Sequence, residues 1–154
     1  MTGPLPRLLG LVFPACAGEG AAGLPMPTRL DFATLRRPRP PNSALAAPPG
    51  LWTEPDIFTR ARRVAPEKLY RLLKAVALAQ PRTVLHAEYA AELQAHFVAR
   101  SRLCNFPDLI AMQVTPDAMP ALYSRSLCGH ADFGVNRRRL ITWLAALDAA
   151  IDHA

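Results

Sequence analysis

Cys128, His130 and Asp132 stand at alternate positions in CGHADFGVNRRRL, residues 128–140. Thiolate, imidazole and carboxylate are donor types that a zinc or other transition-metal ion takes. Donors at i, i+2 and i+4 meet only in a loop or on one strand face. Asp132 also has a second occupation, because an apolar pattern at helical spacing begins just after it. There its carboxylate can accept from the free backbone N–H groups of a helix's first turn. We assign Asp132 to that cap and assign no metal and no cofactor. Ser124 and Ser126 flank Arg125, and His86 and His96 lie in expected strands. A Ser–His–Asp arrangement can be drawn from these residues. No Gly-x-Ser-x-Gly elbow and no Gly-rich phosphate loop accompanies it, so the sequence names no reaction and leaves enzymatic activity open.

Arg125 is a lone cation in an otherwise apolar strand, where a carboxylate partner would offset its desolvation. Asp108 and Asp132 are expected at the same end of the sheet. The expectation is a bidentate Arg125–Asp108 or Arg125–Asp132 pair, within a polar cluster of Arg125, Asp108, Asp132, Asn136, Ser124 and Ser126. That cluster is either a structural tie or a ligand handle. Arg137, Arg138 and Arg139 open the same helix, whose dipole favours anions. They read as a mostly solvated face able to grip phosphate or lipid headgroups.

The elements that must position these residues follow from periodicity. IFTRARRV (57–64) reads as an edge strand with arginines in solvent. PEKLYRLLKAVALAQ reads as a helix. Pro66 suits its first turn, Leu69, Leu72, Leu73 and Val76 form its apolar stripe, and Pro81 stops it. RTVLHAEYAAELQAHFVARSR (82–102) reads as two strands. In the second, Leu93, Ala95, Phe97 and Ala99 face the core, and Gln94, His96, Val98 and Arg100 face away. DLIAMQVTP and MPALYSRSLC give two more strands about a turn at Pro116–Ala118. The closing helix buries Leu140, Ile141, Trp143 or Leu144, Leu147 and Ile151. The expected class is α+β: an antiparallel sheet of about five strands, two helices on one face, order β-α-β-β-β-β-α.

Ahead of the domain, expected at 56–154, residues 17–55 are rich in proline. They read as an extended arm, and Leu30, Phe32, Leu35 and Leu45 suit it to lie on the domain. Residues 1–16 pair Arg7 with LLGLVF and then Pro14-Ala15-Cys16. This resembles a lipoprotein-type signal in which Cys16 would be lipidated, so the expected location is the cell envelope, membrane-anchored and periplasm-facing. The other location considered is the cytoplasm. Cys104 and Cys128 would remain as a disulfide candidate. However, their strands flank a third, about 9.6 Å apart overall, beyond the roughly 7 Å that a disulfide spans.

The formal charge is +6, and sixteen of the eighteen basic residues are arginine. GC-rich codons serve Arg, Ala and Pro alike, which weakens charge as a case for nucleic acid. The expected function is that of a small envelope binding or scaffold protein, non-enzymatic, for an unknown ligand or protein partner. The alternative is a cytoplasmic hydrolase-like enzyme or a nucleic-acid-associated protein using the arginine-rich surface.

Three stretches carry a family resemblance: Pro41-Asn42; Ala99-Arg100-Ser101 with Asn105-Phe106-Pro107-Asp108; and Tyr123-Ser124-Arg125-Ser126 through Gly129 to Asp132-Phe133-Gly134-Val135-Asn136-Arg137-Arg138-Arg139. Over about residues 35–150 the chain resembles the bacterial and plastid family known as domain of unknown function 1499. The resemblance implies a fold and an ordered arm rather than an activity. Ser43 stands where the family often has Cys, and His130-Ala131 where it often has Tyr-Ser.

Overall fold

The computed structural model describes residues 13–37, 42–51, 54–129 and 131–154. Among the described residues, six strands and two long helices follow one another. They are β1 (Ser43–Ala47), β2 (Ile57–Phe58), α1 (Pro66–Ala79), β3 (Thr83–Tyr89), β4 (Gln94–Arg100), β5 (Pro107–Val114), β6 (Pro120–Ser126) and α2 (Val135–Asp152). The strands form one sheet in the order β2-β1-β6-β5-β4-β3. All neighbours are antiparallel except β1 and β2, which run parallel. The α+β class and the β-α-β-β-β-β-α order therefore hold, with one strand added at the front.

That added strand lies inside the proline-rich stretch expected to be an extended arm. SALAA carries no proline, and its small side chains let it lie flat against β6. Ala44 and Ala46 face the helices, while Leu45 and Ala47 face the arm. The expected strand at 57–64 shrinks to Ile57–Phe58 at the sheet edge. Beyond it the chain is held by the backbone N–H groups of Thr59 and Arg62, which donate to Ala47 O and Ala118 O (both 3.0 Å), and by side chains. Thr59 Oγ1 donates to Pro120 O, and Arg62 forms an ion pair with Asp148 of α2 (2.8 Å).

One face of the sheet carries both helices. Leu69, Leu73, Val76 and Ala77 of α1 and Leu140, Trp143, Leu144 and Leu147 of α2 close over Ala95, Phe97, Ile110, Met112 and Leu122. Phe97 and Trp143 meet edge to face at 5.9 Å, the geometry that aromatic quadrupoles favour. The other face is covered by residues 13–37, running as an arm across it. Phe32 is buried there with Leu45, Ala111, Ala121 and Tyr123. Two-sided cover explains why every residue of β4 is buried, polar ones included.

β3 departs from simple alternation. Its register shifts between Leu85 and Ala87. Glu88 thereby lies opposite Ala95, on the helix face, and Tyr89 opposite Gln94, on the arm face. Glu88 uses the position to pair with Lys74 of α1 (2.7 Å) and to accept from Tyr70 Oη (2.6 Å).

Candidate functional site

Pairing in the sheet decides which polar residues share a face. Asp108 lies opposite Ser126, and Ile110 opposite Ser124, whereas Arg125 lies opposite Leu109 and Ser43. Strand alternation therefore puts Asp108, Ser124 and Ser126 under the helices and Arg125 on the other face. The expected Arg125 pair with Asp108 or Asp132 does not form, and among the described residues Arg125 has no ion pair. Arg139 takes the role. Its Nη2 lies 2.6 Å from Asp108 Oδ2, with side chains only 15% and 7% exposed. Its Nη1 donates to Ser124 Oγ (2.9 Å) and Asn136 Oδ1 (2.8 Å). Arg139 was expected on the outer face with Arg137 and Arg138. One turn after Asn136, it instead shares Asn136's inward face.

Asn136, fully buried, is the hub. Its Oδ1 accepts from Ser124 Oγ (2.5 Å), and its Nδ2 donates to Asp132 Oδ2 (2.7 Å), Ser126 Oγ (3.0 Å) and Asn42 O (3.0 Å). Asp132 also accepts from the backbone N–H groups of Gly134 and Asn136, both at 2.9 Å. The N-cap position itself falls on Gly134, so the carboxylate serves the first turn from two residues ahead of the cap position expected for it. Burial alone would raise the Asp132 carboxyl; these hydrogen bonds outweigh it and hold the group below its ordinary value. Five of the six residues expected to cluster are thus joined in one network with Arg139 and the Asn42 backbone. The sixth, Arg125, lies across the sheet.

Above the network, the β4–β5 and β6–α2 connections meet at one end of the sheet. Between them is an apolar cleft of about 510 Å³, walled by Leu103, Phe106, Phe133 and Val135 with Cys104 and Cys128 alongside. Two of its lips stand far into solvent: Leu103 is 76% exposed and Phe133 is 88% exposed. Phe133 also holds a left-handed backbone (φ 51°), costly for a bulky residue. Phe133 lies inside the turn that the Asp132 bonds to Gly134 and Asn136 span. Arg102, exposed, lines the cleft, and exposed Arg137 lines a second hollow of about 340 Å³ beyond Phe133. Exposed Arg138 donates from Nη1 to Phe133 O (3.0 Å).

A model of the DUF1499 family, described as proteins of unknown function, matches residues 35–147. The chain belongs to that family. The matched span contains the whole network, from Asn42 to Arg139, and both connections that wall the cleft. Among curated proteins, none matches the chain.

The arm's first part, residues 13–34, precedes the DUF1499 match. The sheet holds it by its backbone. Gln94 both donates to and accepts from the Leu30 main chain (2.8 and 2.7 Å), and Tyr89 Oη donates to Pro27 O (2.6 Å). His86 Nε2 lies 2.9 Å from Pro25 O, and His96 Nε2 lies 2.9 Å from Gln94 Oε1. Burial, then the charge of His86, push His96 down to about 4. Both histidines serve this face, on the opposite side of the sheet from Ser124, so the Ser–His pairing considered from sequence is not assembled. Arg100 and Asn105 grip the arm's start (Ala15, Cys16, Gly18 and Gly20), and Arg82 donates to Asn105 Oδ1. No group of three His, Cys, Asp or Glu side chains able to hold a metal is found among the described residues. His130 lies outside them.

Sequence reasoning missed Arg139, Leu103 and the Phe133 tip. Helical spacing from Asn136 carries a signal for Arg139. Exposure at the tip carries none, because an apolar residue in sequence reads first as core.

Proposed function

We propose that this DUF1499 chain is a non-enzymatic module that docks on an anionic membrane surface of a bacterial cell envelope through the β4–β5 and β6–α2 connections. The observation that carries the reading is Phe133. It is 88% exposed in a left-handed conformation, opposite an exposed Leu103, with Arg102, Arg137 and Arg138 around it. Exposed apolar tips beside cations suit an interface where acyl chains lie just below anionic headgroups. The cleft gives an acyl segment somewhere to go, at a volume usual for small-ligand sites. Each arginine near such a surface adds about 1 kcal/mol of attraction, lost as salt rises. Among the described residues no helix is long and apolar enough to cross a membrane, so the contact proposed is superficial. A lipid on Cys16 would be a separate route to the same surface, and it would require Cys16 to leave its buried seat.

The test is co-sedimentation with vesicles of phosphatidylcholine alone or mixed with phosphatidylglycerol. Retention on the anionic vesicles is expected, weakened by salt. It should be lost in a Phe133→Ser/Leu103→Ser chain and reduced in Arg137→Ser/Arg138→Ser. Unchanged retention in the first variant refutes the reading. So does an absence of binding at low salt, or a preference for DNA over the anionic vesicles.

A further inference from the structure

The polar network and the arginine rim leave the cysteines unexplained. Cys16 is fully buried in the short 3₁₀ turn Pro14–Cys16 that begins the arm. Its Sγ lies 3.6 Å from Sγ of Cys128, 112 positions later in the chain. The backbone on either side is fixed from the sheet. Asn105 Nδ2 donates to Cys16 O (2.6 Å) and Gly18 O (2.8 Å), and Arg100 Nη1 donates to Ala15 O (2.8 Å). Arg100 is itself buried, its Nη2 has no hydrogen-bond partner among the described residues, and its charge acts on both thiols.

The two thiols share an S–H···S hydrogen bond at 3.6 Å and are not covalently joined. A disulfide brings them to about 2.05 Å, so each must give by less than about 1 Å. Cys128 has the freedom to do so. It is half-buried in the connection after β6 and is followed by Gly129 at φ 92°. The other candidate partner, Cys104, follows β4, and β4 and β6 lie on opposite sides of β5. Those strands are separated by about 9.6 Å, and the loops would have to close the difference.

We propose that Cys16 and Cys128 are a disulfide-forming pair that fastens the arm to the β6–α2 connection when the chain meets an oxidising compartment. The oxidant is a disulfide R–S–S–R, either of a small thiol or of a thiol–disulfide oxidoreductase. Cys128, the more reachable sulfur, attacks as thiolate. A Cys128–S–S–R bond forms, and R–S⁻ leaves and takes up a proton equivalent to the one Cys128 lost. Cys16 then gives up its proton and attacks Cys128 Sγ, and the second R–S⁻ leaves and is protonated. Two protein thiols lose two electrons, and R–S–S–R is reduced to two R–SH. Burial and the contact with Cys128 push the Cys16 thiol up to about 11, against the pull of Arg100. In the closing step Cys128 is already in the mixed disulfide, so of these influences burial still disfavours the attacking Cys16 thiolate while Arg100 favours it. The proposal is independent of the membrane reading. It excludes a lipid on Cys16, since bond and lipid would use the same sulfur.

The experiment incubates the reduced full-length chain with glutathione disulfide and follows intact mass and the linked peptides. Wild type and Cys104→Ser are expected to lose two hydrogens and to yield a Cys16–Cys128 linked peptide. Cys16→Ser is expected to stop at a glutathione adduct on Cys128. Wild type that stops at adducts overturns the proposal, as does a linked Cys104–Cys128 peptide or a two-hydrogen loss that survives in Cys16→Ser. The wild-type peptide map decides even where a variant folds poorly.

Discussion

Replacing Arg139 with methionine tests the network most directly. Methionine keeps most of the arginine stem and its packing but removes every donor. Asp108, whose side chain is 7% exposed, then loses its ion pair at 2.6 Å, and Ser124 Oγ and Asn136 Oδ1 each lose an Arg139 donor. Breaking a buried pair by removing one partner costs roughly 3–5 kcal/mol, because the remaining charge stays buried without compensation. In a domain of this size each kcal/mol moves the midpoint by about 2–4 °C, so a fall on the order of 10 °C is expected. Thermal and urea unfolding followed by circular dichroism measure it. Arg125→Leu is the control. Arg125 is half-buried on the opposite face with no ion pair among the described residues, so its loss should stay within about 1 kcal/mol. An Asp108→Leu/Arg139→Met chain should recover much of the loss, since an apolar pair of similar volume often replaces a buried ion pair without penalty. The reasoning fails if Arg139→Met loses less than about 1 kcal/mol, or if Arg125→Leu loses as much as Arg139→Met.

Three further outcomes follow from the hydrogen-bond geometry. Asp132→Ala should cost about 1–2 kcal/mol in urea unfolding, since both backbone N–H groups it caps lose their acceptor. Because the folded Asp132 carboxyl sits below its ordinary 3.8, its stabilisation is complete above that value and disappears as pH falls through the lower folded one. The gap between wild type and Asp132→Ala should therefore close in acid, and a gap that widens there refutes the assignment. His96 is depressed from 6.5 to about 4, so it stays neutral when folded while the unfolded chain takes up a proton. Stability should then fall as pH drops from 6.5 towards 4, and the fall should be shallower in His96→Gln; equal slopes in the two chains count against it. Gln94→Ala removes both bonds to the Leu30 main chain. It should speed amide exchange at Leu30 and cost about 1–2 kcal/mol, whereas unchanged exchange means that packing around Phe32 and the Tyr89 bond to Pro27 O suffice to hold this part of the arm.

The sheet and both helices were legible because their signals are local. Leu69, Leu72, Leu73 and Val76 recur at helical spacing, Ala95, Phe97 and Ala99 alternate, and Pro66 and Pro81 bracket α1. Two features were hidden because they depend on the assembled sheet. SALAA has no strand-like alternation of polar and apolar residues, since both of its faces are covered, one by helices and one by the arm. The shift at Leu85–Ala87 changes which face Glu88 occupies, and no local pattern marks it. The candidate site divided in the same way. Asp132 as an acceptor for the first turn of α2 follows from sequence alone. Choosing among the arginines requires knowing which face of β6 lies under α2, and a shift of one position exchanges Arg125 for its serine neighbours.

Among the residues that carry the family likeness, Asn136, Asp108 and Asp132 are the least free to bind anything else. Asn136 uses its amide fully, Asp108 has Arg139, and Asp132 accepts from two backbone N–H groups and the Asn136 amide. A buried polar group that already has its partners gains little from a ligand and loses much if one displaces them. The network instead fixes the start of α2, and the turn that the Asp132 bonds span contains the next residue, Phe133, out of the core at a backbone angle costly for a bulky residue. Energy spent holding an apolar ring in water is recovered only when something apolar covers it. The site to interrogate is therefore the tip that the network presents, and the network itself is the support. A chain whose network is broken should lose vesicle retention along with stability, while Phe133→Ser should lose retention with its melting temperature intact.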